Sequence, residues 1–318
     1  MGIQSQAGYA SSTLSRFLSD RLPYLDRVAQ TWIPKLASMS DGPALAIRGR
    51  DDLGWALELR LGLDLAATPP RLRELSYLPI ERCRALLAAA GYEHRQVGVL
   101  PLSGTTDPLL CHWERTRHPI VPCENQSAAF RACLDLAWFR QLIHKWGEGR
   151  TVDERRSWFV SLATHNSGLD GDAELLDAMA HCWRVYLKRG RRALLKQGSE
   201  ASVAPELALG YGVADLVIGR MLIDVKLAVR PAVDEAVTWL RQLIGYVLLD
   251  RHNIFELDSV AVYCGWHGQL LSYPLQALLA TAGGGSTPSL ERLRLDFYEV
   301  MRDELDTYAA WRERQRHP

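Results

Sequence analysis

The chain has 318 residues with 37 basic and 37 acidic side chains, so its formal net charge is zero; 47% of its residues are hydrophobic and 23% are charged. That balance excludes fibrous, collagen-like and wholly disordered chains and leaves room for two globular domains. No run of about 18 uncharged apolar residues occurs, so no membrane span is expected. The opening MGIQSQAGYASSTLSRF has no apolar signal core, which points to a cytoplasmic protein.

Residues 12–40 place Leu14, Phe17, Leu18, Leu22, Leu25 and Val28 near helical spacing, with Pro23 as an interruption. In 43–65, PALAIRGRDDLGWALELRLGLDL, apolar and polar residues alternate in places, which predicts a hairpin or a pair of strands. A helix follows over 79–92, ending at Gly91, then a short strand and turn over 98–108. A strong helix over 127–147 stops at glycine, and another covers about 152–163. SLATHNSGLDGD (161–172) is the clearest break. It divides a mixed, largely helical region, 1–165, from a second domain, 166–318. The first region is expected to select DNA, bind a partner protein or form a homodimer.

The second domain opens with a long helix, 173–197. Three short apolar segments come next: VAPELALGY (203–211), GVADLVIG (212–219) and MLIDVKLAV (221–229). A helix covers about 232–250, followed by a strand in DSVAVYCGW and its partner in GQLLSYPL. ATAGGGSTPS (280–289) reads as a linker before a last helix. The order from 173 is α-β-β-β-α-β, an α/β arrangement.

None of the six cysteines forms a CxxC pair. Cys111, His112, His118 and Cys123 fall within thirteen residues, but their spacing fits no common zinc pattern. Adjacent Cys111 and His112 would reach one ion awkwardly, so the four read as loop and core residues. No GxxxxGK[ST] occurs, which excludes a P-loop motor.

The chemistry concentrates in GVADLVIGRMLIDVKLA (212–228). Gly219-Arg220 between two apolar segments suits a two-residue type II′ hairpin turn. Ile218 then pairs with Met221, every pair of residue numbers sums to the same value, and Asp215 falls opposite Asp224. Period-2 geometry puts Asp224 and Lys226 on one face. Opposed Cβ atoms lie about 4.5–5.5 Å apart, and like charges so placed destabilise the pair. Among Val, Leu and Ile the cost rises. A divalent cation, Mg²⁺ or Mn²⁺, would remove the conflict with two carboxylates and its own waters. Lys226 would position a metal-bound water or offset phosphate charge, an arrangement suited to phosphodiester hydrolysis.

Asp215 in G-x-x-D, Asp224-Val225-Lys226 as (D/E)-x-K, and Gln242 and Tyr246 as Q-x-x-x-Y in QLIGY resemble the PD-(D/E)XK nuclease superfamily, in particular its RecB-like branch. The resemblance covers about 173–275 and implies a restriction-endonuclease-like α-β-β-β-α-β core. It further implies an acidic pair binding Mg²⁺, a lysine assisting the attacking water, and a Gln–Tyr pair contacting substrate or supporting the site. Such proteins often add a third acid or a histidine; Glu206, on the expected first strand, is favoured over Glu174 and His181 of the preceding helix. Some members of the branch hold an iron–sulfur cluster, but only Cys264 follows the lysine here, so none is expected. The implied function is a metal-dependent DNA endonuclease or exonuclease in a prokaryotic restriction or anti-phage system. The alternative is a non-catalytic DNA-binding or assembly subunit of a defence or repair complex. Lys188, Arg189, Arg191, Arg192 and Lys196, with Arg184, form a local basic excess that could hold a phosphate backbone. Arg220 and Arg230 are lesser candidates.

Overall fold

The computed structural model describes residues 2–37, 51–66, 84, 86–88, 92–94, 113–114, 123–146, 173–228, 231–285 and 289–316. It is a mixed α/β protein whose chain divides into two compact units, Pro43–Lys188 and the combination of Met1–Gly42 with Arg189–Pro318. The division therefore falls at two places, neither of them the expected boundary at 165/166. The first forty residues belong with the C-terminal sheet, and most of the long helix after 173 belongs with the other unit.

In the unit Pro43–Lys188, three helices, Asp51–Leu65, Cys123–Trp146 and Ala173–Val185, pack against one another. The expected strands over 43–65 are overturned for 51–65, which is helical; 43–50 lies outside the described residues. Leu57, Leu59, Leu61, Leu63 and Leu65 repeat every second position and imitate a strand. Wound into a helix they point all round it, and all are buried, as a helix apolar on every side requires. The polar residues between them are buried too and find partners. Arg60 stacks its guanidinium 3.7 Å from the centroid of the Trp183 ring, and Asp64 accepts a 2.5 Å hydrogen bond from the Tyr186 hydroxyl. The expected helix over 79–92 is described only at Arg84 and 86–88, which are helical, and at Tyr92, which is not. The expected strand over 98–108 and helix over 152–163 lie outside the described residues, as do Cys111, His112, His118 and the side chain of Cys123.

The other unit begins with three helices, α1 (Ile3–Gly8), α2 (Thr13–Arg21) and α3 (Leu25–Ala37). Ser12 caps α2 by accepting from the Ser15 N–H at 3.0 Å, and the break at Pro23 falls where expected. After a short helix α4 (Arg191–Leu195) come β1 (Ala201–Val203), β2 (Glu206–Leu207), β3 (Gly212–Val213), β4 (Leu216–Ile218) and β5 (Met221–Lys226). Then follow α5 (Val233–Leu249), β6 (Ser259–Cys264), β7 (Gln269–Pro274), α6 (Leu275–Gly283) and α7 (Leu290–Arg316). The expected linker over 280–289 is shorter than the sequence suggests, because α6 runs on to Gly283 and ends at left-handed Gly284 (φ 68°).

The sheet has the order β1-β4-β5-β6-β7. β4 and β5 are antiparallel, β5 and β6 parallel with α5 as their crossover, and β6 and β7 antiparallel. Leu222, Asp224 and Lys226 alternate with Met221, Ile223 and Val225, so each set faces one side. Leu222, Val260 and Val262 share a buried core with Leu240, Leu243 and Val247 of α5. That core is completed from far away in sequence by Ile3, Leu14, Leu18, Val28 and Trp32 of α1–α3 and by Leu293, Phe297 and Met301 of α7. Gly245 makes the approach possible, since a Cβ there would lie 3.0 Å from Ile3 Cγ2 and 3.1 Å from Leu14 Cδ2.

Helix α5 ends under cover, and its last carbonyls are taken by α7. Arg294 Nε donates to Val247 O at 3.1 Å and the Tyr298 hydroxyl to Leu249 O at 2.8 Å. Asp250 follows the helix and accepts from the N–H groups of Ile254 and Phe255 at 2.8 and 3.2 Å. On the opposite side of the sheet, buried Tyr263 reaches Gly190 at the end of the π-helical turn Tyr186–Gly190.

Two consequences are measurable. A Cβ at Gly190 would overlap the Tyr263 hydroxyl and lie 2.9 Å from its Cζ. Gly190→Ala is therefore expected to lower stability by about 1–3 kcal/mol in urea titrations. Burying Ile3, Leu14, Leu18, Val28 and Trp32 stabilises by about 10 kcal/mol, as large as the whole stability of a typical domain. A fragment starting at residue 165 is expected to lack a cooperative thermal transition, and a sharp one would show that the N-terminal helices are dispensable.

Candidate active site

The site is built on the hairpin β4–β5. Its turn has Gly219 at φ 58°, while Arg220 is not among the residues of positive φ, the pattern of a type II′ turn. A Cβ at Gly219 would collide with the Gln197 carbonyl, so the turn is also held from outside. The register follows from that turn: Ile218 pairs with Met221, Val217 with Leu222 and Leu216 with Ile223. Asp215 stands one residue beyond the last pair, at the level of Asp224.

Asp224 is 1% exposed. Its Oδ1 accepts from Gln242 Nε2 at 3.1 Å, and its Oδ2 lies 2.8 Å from Lys226 Nζ. That second contact is a close, buried ion pair. Lys226 Nζ donates to Gln242 Oε1 at 3.1 Å, and Gln242 Nε2 also donates to the Tyr246 hydroxyl at 3.1 Å. Gln242 and Tyr246 are one helical turn apart on α5, both buried. Four of the expected residues, Asp224, Lys226, Gln242 and Tyr246, thus form one connected network between strand and helix.

The fifth, Asp215, is half-buried beside it. Its Oδ2 accepts from the Val225 N–H at 2.6 Å, replacing the ladder bond that the ending strand no longer supplies. Lys226 thus faces Asp224, and the Val225 N–H bonds Asp215.

Glu206 does not join them. Ala204, at φ 48°, turns the chain out of the main sheet after β1, so Glu206 lies in a separate two-stranded ribbon with Glu206 opposite Val213. Its carboxylate, 56% exposed, accepts from Arg312 Nη2 at 2.6 Å. Among the described residues no three His, Cys, Asp or Glu side chains converge on one point. Glu174 and His181 lie on the helix Ala173–Val185 of the other unit. Of the expected phosphate contacts, Lys188, Arg189, Arg192 and Lys196 are exposed, whereas Arg191 is only half-exposed and its Nη2 is buried. Arg220 is exposed at the hairpin tip and bonds Glu256 O at 2.7 Å; Arg230 lies outside the described residues.

Several supports escaped the motif reading. Gly212 of G-x-x-D sits where a Cβ would lie 2.6 Å from Leu249 Cδ1 and 3.1 Å from Tyr246 Cδ1, so the glycine makes room for the tyrosine. The end of β5 is tied down by the β6–β7 turn, with Gly265 N–H donating to Lys226 O at 2.9 Å and Trp266 Nε1 to Leu227 O at 2.5 Å. Cys264, opposite Lys226 in the parallel register, is pushed up to about 12 by burial, so it is a neutral thiol and no nucleophile at neutral pH. Ala208 and Leu209 complete the β2–β3 ribbon at φ 46° and 59°, a left-handed conformation costing about 1–2 kcal/mol for each such residue.

Comparison of the chain with protein-family models, curated proteins and solved structures finds no match.

Removing the lysine charge would strand a buried carboxylate. Lys226→Met is expected to cost about 3 kcal/mol of stability, and Asp224→Asn placed on top should recover most of it. Additive losses in urea titrations of the four proteins of that cycle would show that the two charges do not act as a pair.

Proposed function

We propose that the chain is a metal-dependent nuclease of the PD-(D/E)XK class that hydrolyses DNA phosphodiester bonds. The observation that carries this reading is the closed Asp224–Lys226–Gln242–Tyr246 network, with the Asp215 carboxylate at its edge. An inert surface hairpin has no use for a buried acid held by a lysine and a glutamine that a tyrosine in turn positions.

The donors suit Mg²⁺ or Mn²⁺: Asp215 and Asp224 offer hard carboxylate oxygens, few enough for an ion that keeps several waters. Bound there, the ion would supply Lewis acidity at a phosphoryl oxygen and lower the pKa of water. The chain's own contributions follow from the network. Gln242 fixes the Asp224 carboxylate, and Tyr246 fixes which way the Gln242 amide faces. Lys226, half-buried and held by Asp224 and Gln242, keeps its ammonium at the site, able to orient a water or meet a phosphate oxygen. The exposed Lys188, Arg189, Arg192 and Lys196 suit contacts to a nucleic-acid backbone, whose affinity would fall with salt. A cytoplasmic restriction or anti-phage role, with a partner protein or a second copy engaged through the helical unit, fits this chemistry.

With Mg²⁺ or Mn²⁺ the purified protein is expected to cleave DNA, and Asp224→Asn to reduce the rate about a thousand-fold while circular dichroism stays unchanged. Mn²⁺ should raise the melting temperature of the native protein but not of the Asp215→Asn, Asp224→Asn double variant. Cleavage that survives Asp224→Asn would remove the site from the chemistry. Duplex binding by gel shift with no cleavage under either ion would favour a binding subunit.

A further inference from the structure

We propose that Trp266 is a positioning residue for the Lys226 ammonium; this rests on the nuclease reading, in which that ammonium meets water or phosphate. Strand β5 outruns its neighbour. β4 pairs with it only from Met221 to Ile223, so Asp224, Val225 and Lys226 lie beyond the β4 ladder. On that side the Val225 N–H turns to the Asp215 carboxylate instead of a strand carbonyl.

The three residues are held from the other side. Asp224, Val225 and Lys226 are in register with Val262, Tyr263 and Cys264 of β6. The β6–β7 turn continues that hold past the end of the ladder. Gly265 N–H donates to Lys226 O at 2.9 Å, and the Trp266 indole N–H donates to Leu227 O at 2.5 Å. The peptide groups on either side of Leu227 are both fixed in this way, the second by a side chain where the strand pairing has stopped.

The turn is a firm anchor. His267 N–H and Gly268 N–H both donate to Cys264 O, at 3.1 and 2.8 Å, and Gly268 takes φ 61° as the chain enters β7. Trp266 is only 7% exposed although it stands in a turn, and its N–H reaches the neighbouring strand rather than water.

Lys226 needs such an anchor because its ammonium sits at the end of a flexible four-carbon stem. The ammonium must stay 2.8 Å from Asp224 Oδ2 and 3.1 Å from Gln242 Oε1. A rotation of the backbone at the end of β5 swings it off both. Misplacement of a reacting group by about 1 Å can cost as much as a hundred-fold in rate.

The test removes the N–H and keeps the ring. The full chain would carry 3-benzothienylalanine in place of Trp266, which puts sulfur where the indole has N–H, and Trp266→Phe would be made in parallel. The Lys226 ammonium would be followed by nitrogen NMR, its signal assigned by its loss in Lys226→Met. The signal is expected to move in both variants. With Mg²⁺, kcat for DNA cleavage is expected to fall about ten-fold in both, with KM unchanged. A lower melting temperature with an unmoved Lys226 signal would reduce Trp266 to packing and overturn the proposal. A moved signal with native kcat would overturn it too. A native chain that cleaves no DNA with Mg²⁺ or Mn²⁺ would overturn the nuclease reading instead, and the Lys226 signal would then decide the anchoring by itself.

Discussion

A carboxylate with 1% of its surface exposed is an expensive object, and the arrangement around Asp224 is the answer to that expense. The lysine two residues on supplies the opposite charge at 2.8 Å, and a glutamine amide from the crossover helix touches both partners. Each of the three requires the others. Without Lys226 the acid is an uncompensated charge; without Gln242 the lysine loses an acceptor and the acid a donor. Strand β5 and helix α5 are thus joined by polar contacts in a region otherwise closed by Val, Leu and Ile.

That joint holds its geometry only because α5 is fixed on every side. The N-terminal helices press on it at Gly245, α7 takes the carbonyls at its end, and Gly212 lets the Tyr246 ring lie close to the strand that leads to Asp215. These supports act on the helix and not on the Asp224 carboxylate itself. They decide where the Gln242 amide stands, and through it where the carboxylate and the ammonium stand.

The hairpin was legible because its information is local: Gly219 selects the turn, the turn selects the register, and the register brings Asp215 level with Asp224. The pairing of Gln242 with Tyr246 was legible for the same reason, being one turn of one helix. What misled was periodicity without context. Leucines at every second position from 57 to 65 suit a strand as well as a helix buried all round, and only the helices packed on them decide. Glu206 was misplaced because a single left-handed alanine, Ala204, diverts the chain, and nothing in an alanine announces that. The covering of α5 by α1–α3 was invisible because those contacts span more than two hundred positions, as from Ile3 to Gly245.

The longest of these contacts has a kinetic meaning. Gln6 donates to Glu304 at 2.5 Å and Thr13 donates to the other oxygen of the same carboxylate, so helices α1 and α2 close upon a helix some three hundred positions further on. During translation the early helices must wait, with Leu14, Phe17 and Trp32 uncovered, until some three hundred residues have left the ribosome. Loops of that size close slowly, and exposed apolar helices invite association in the meantime. A nascent chain of this kind completes the core around α5 only once α7 has been made.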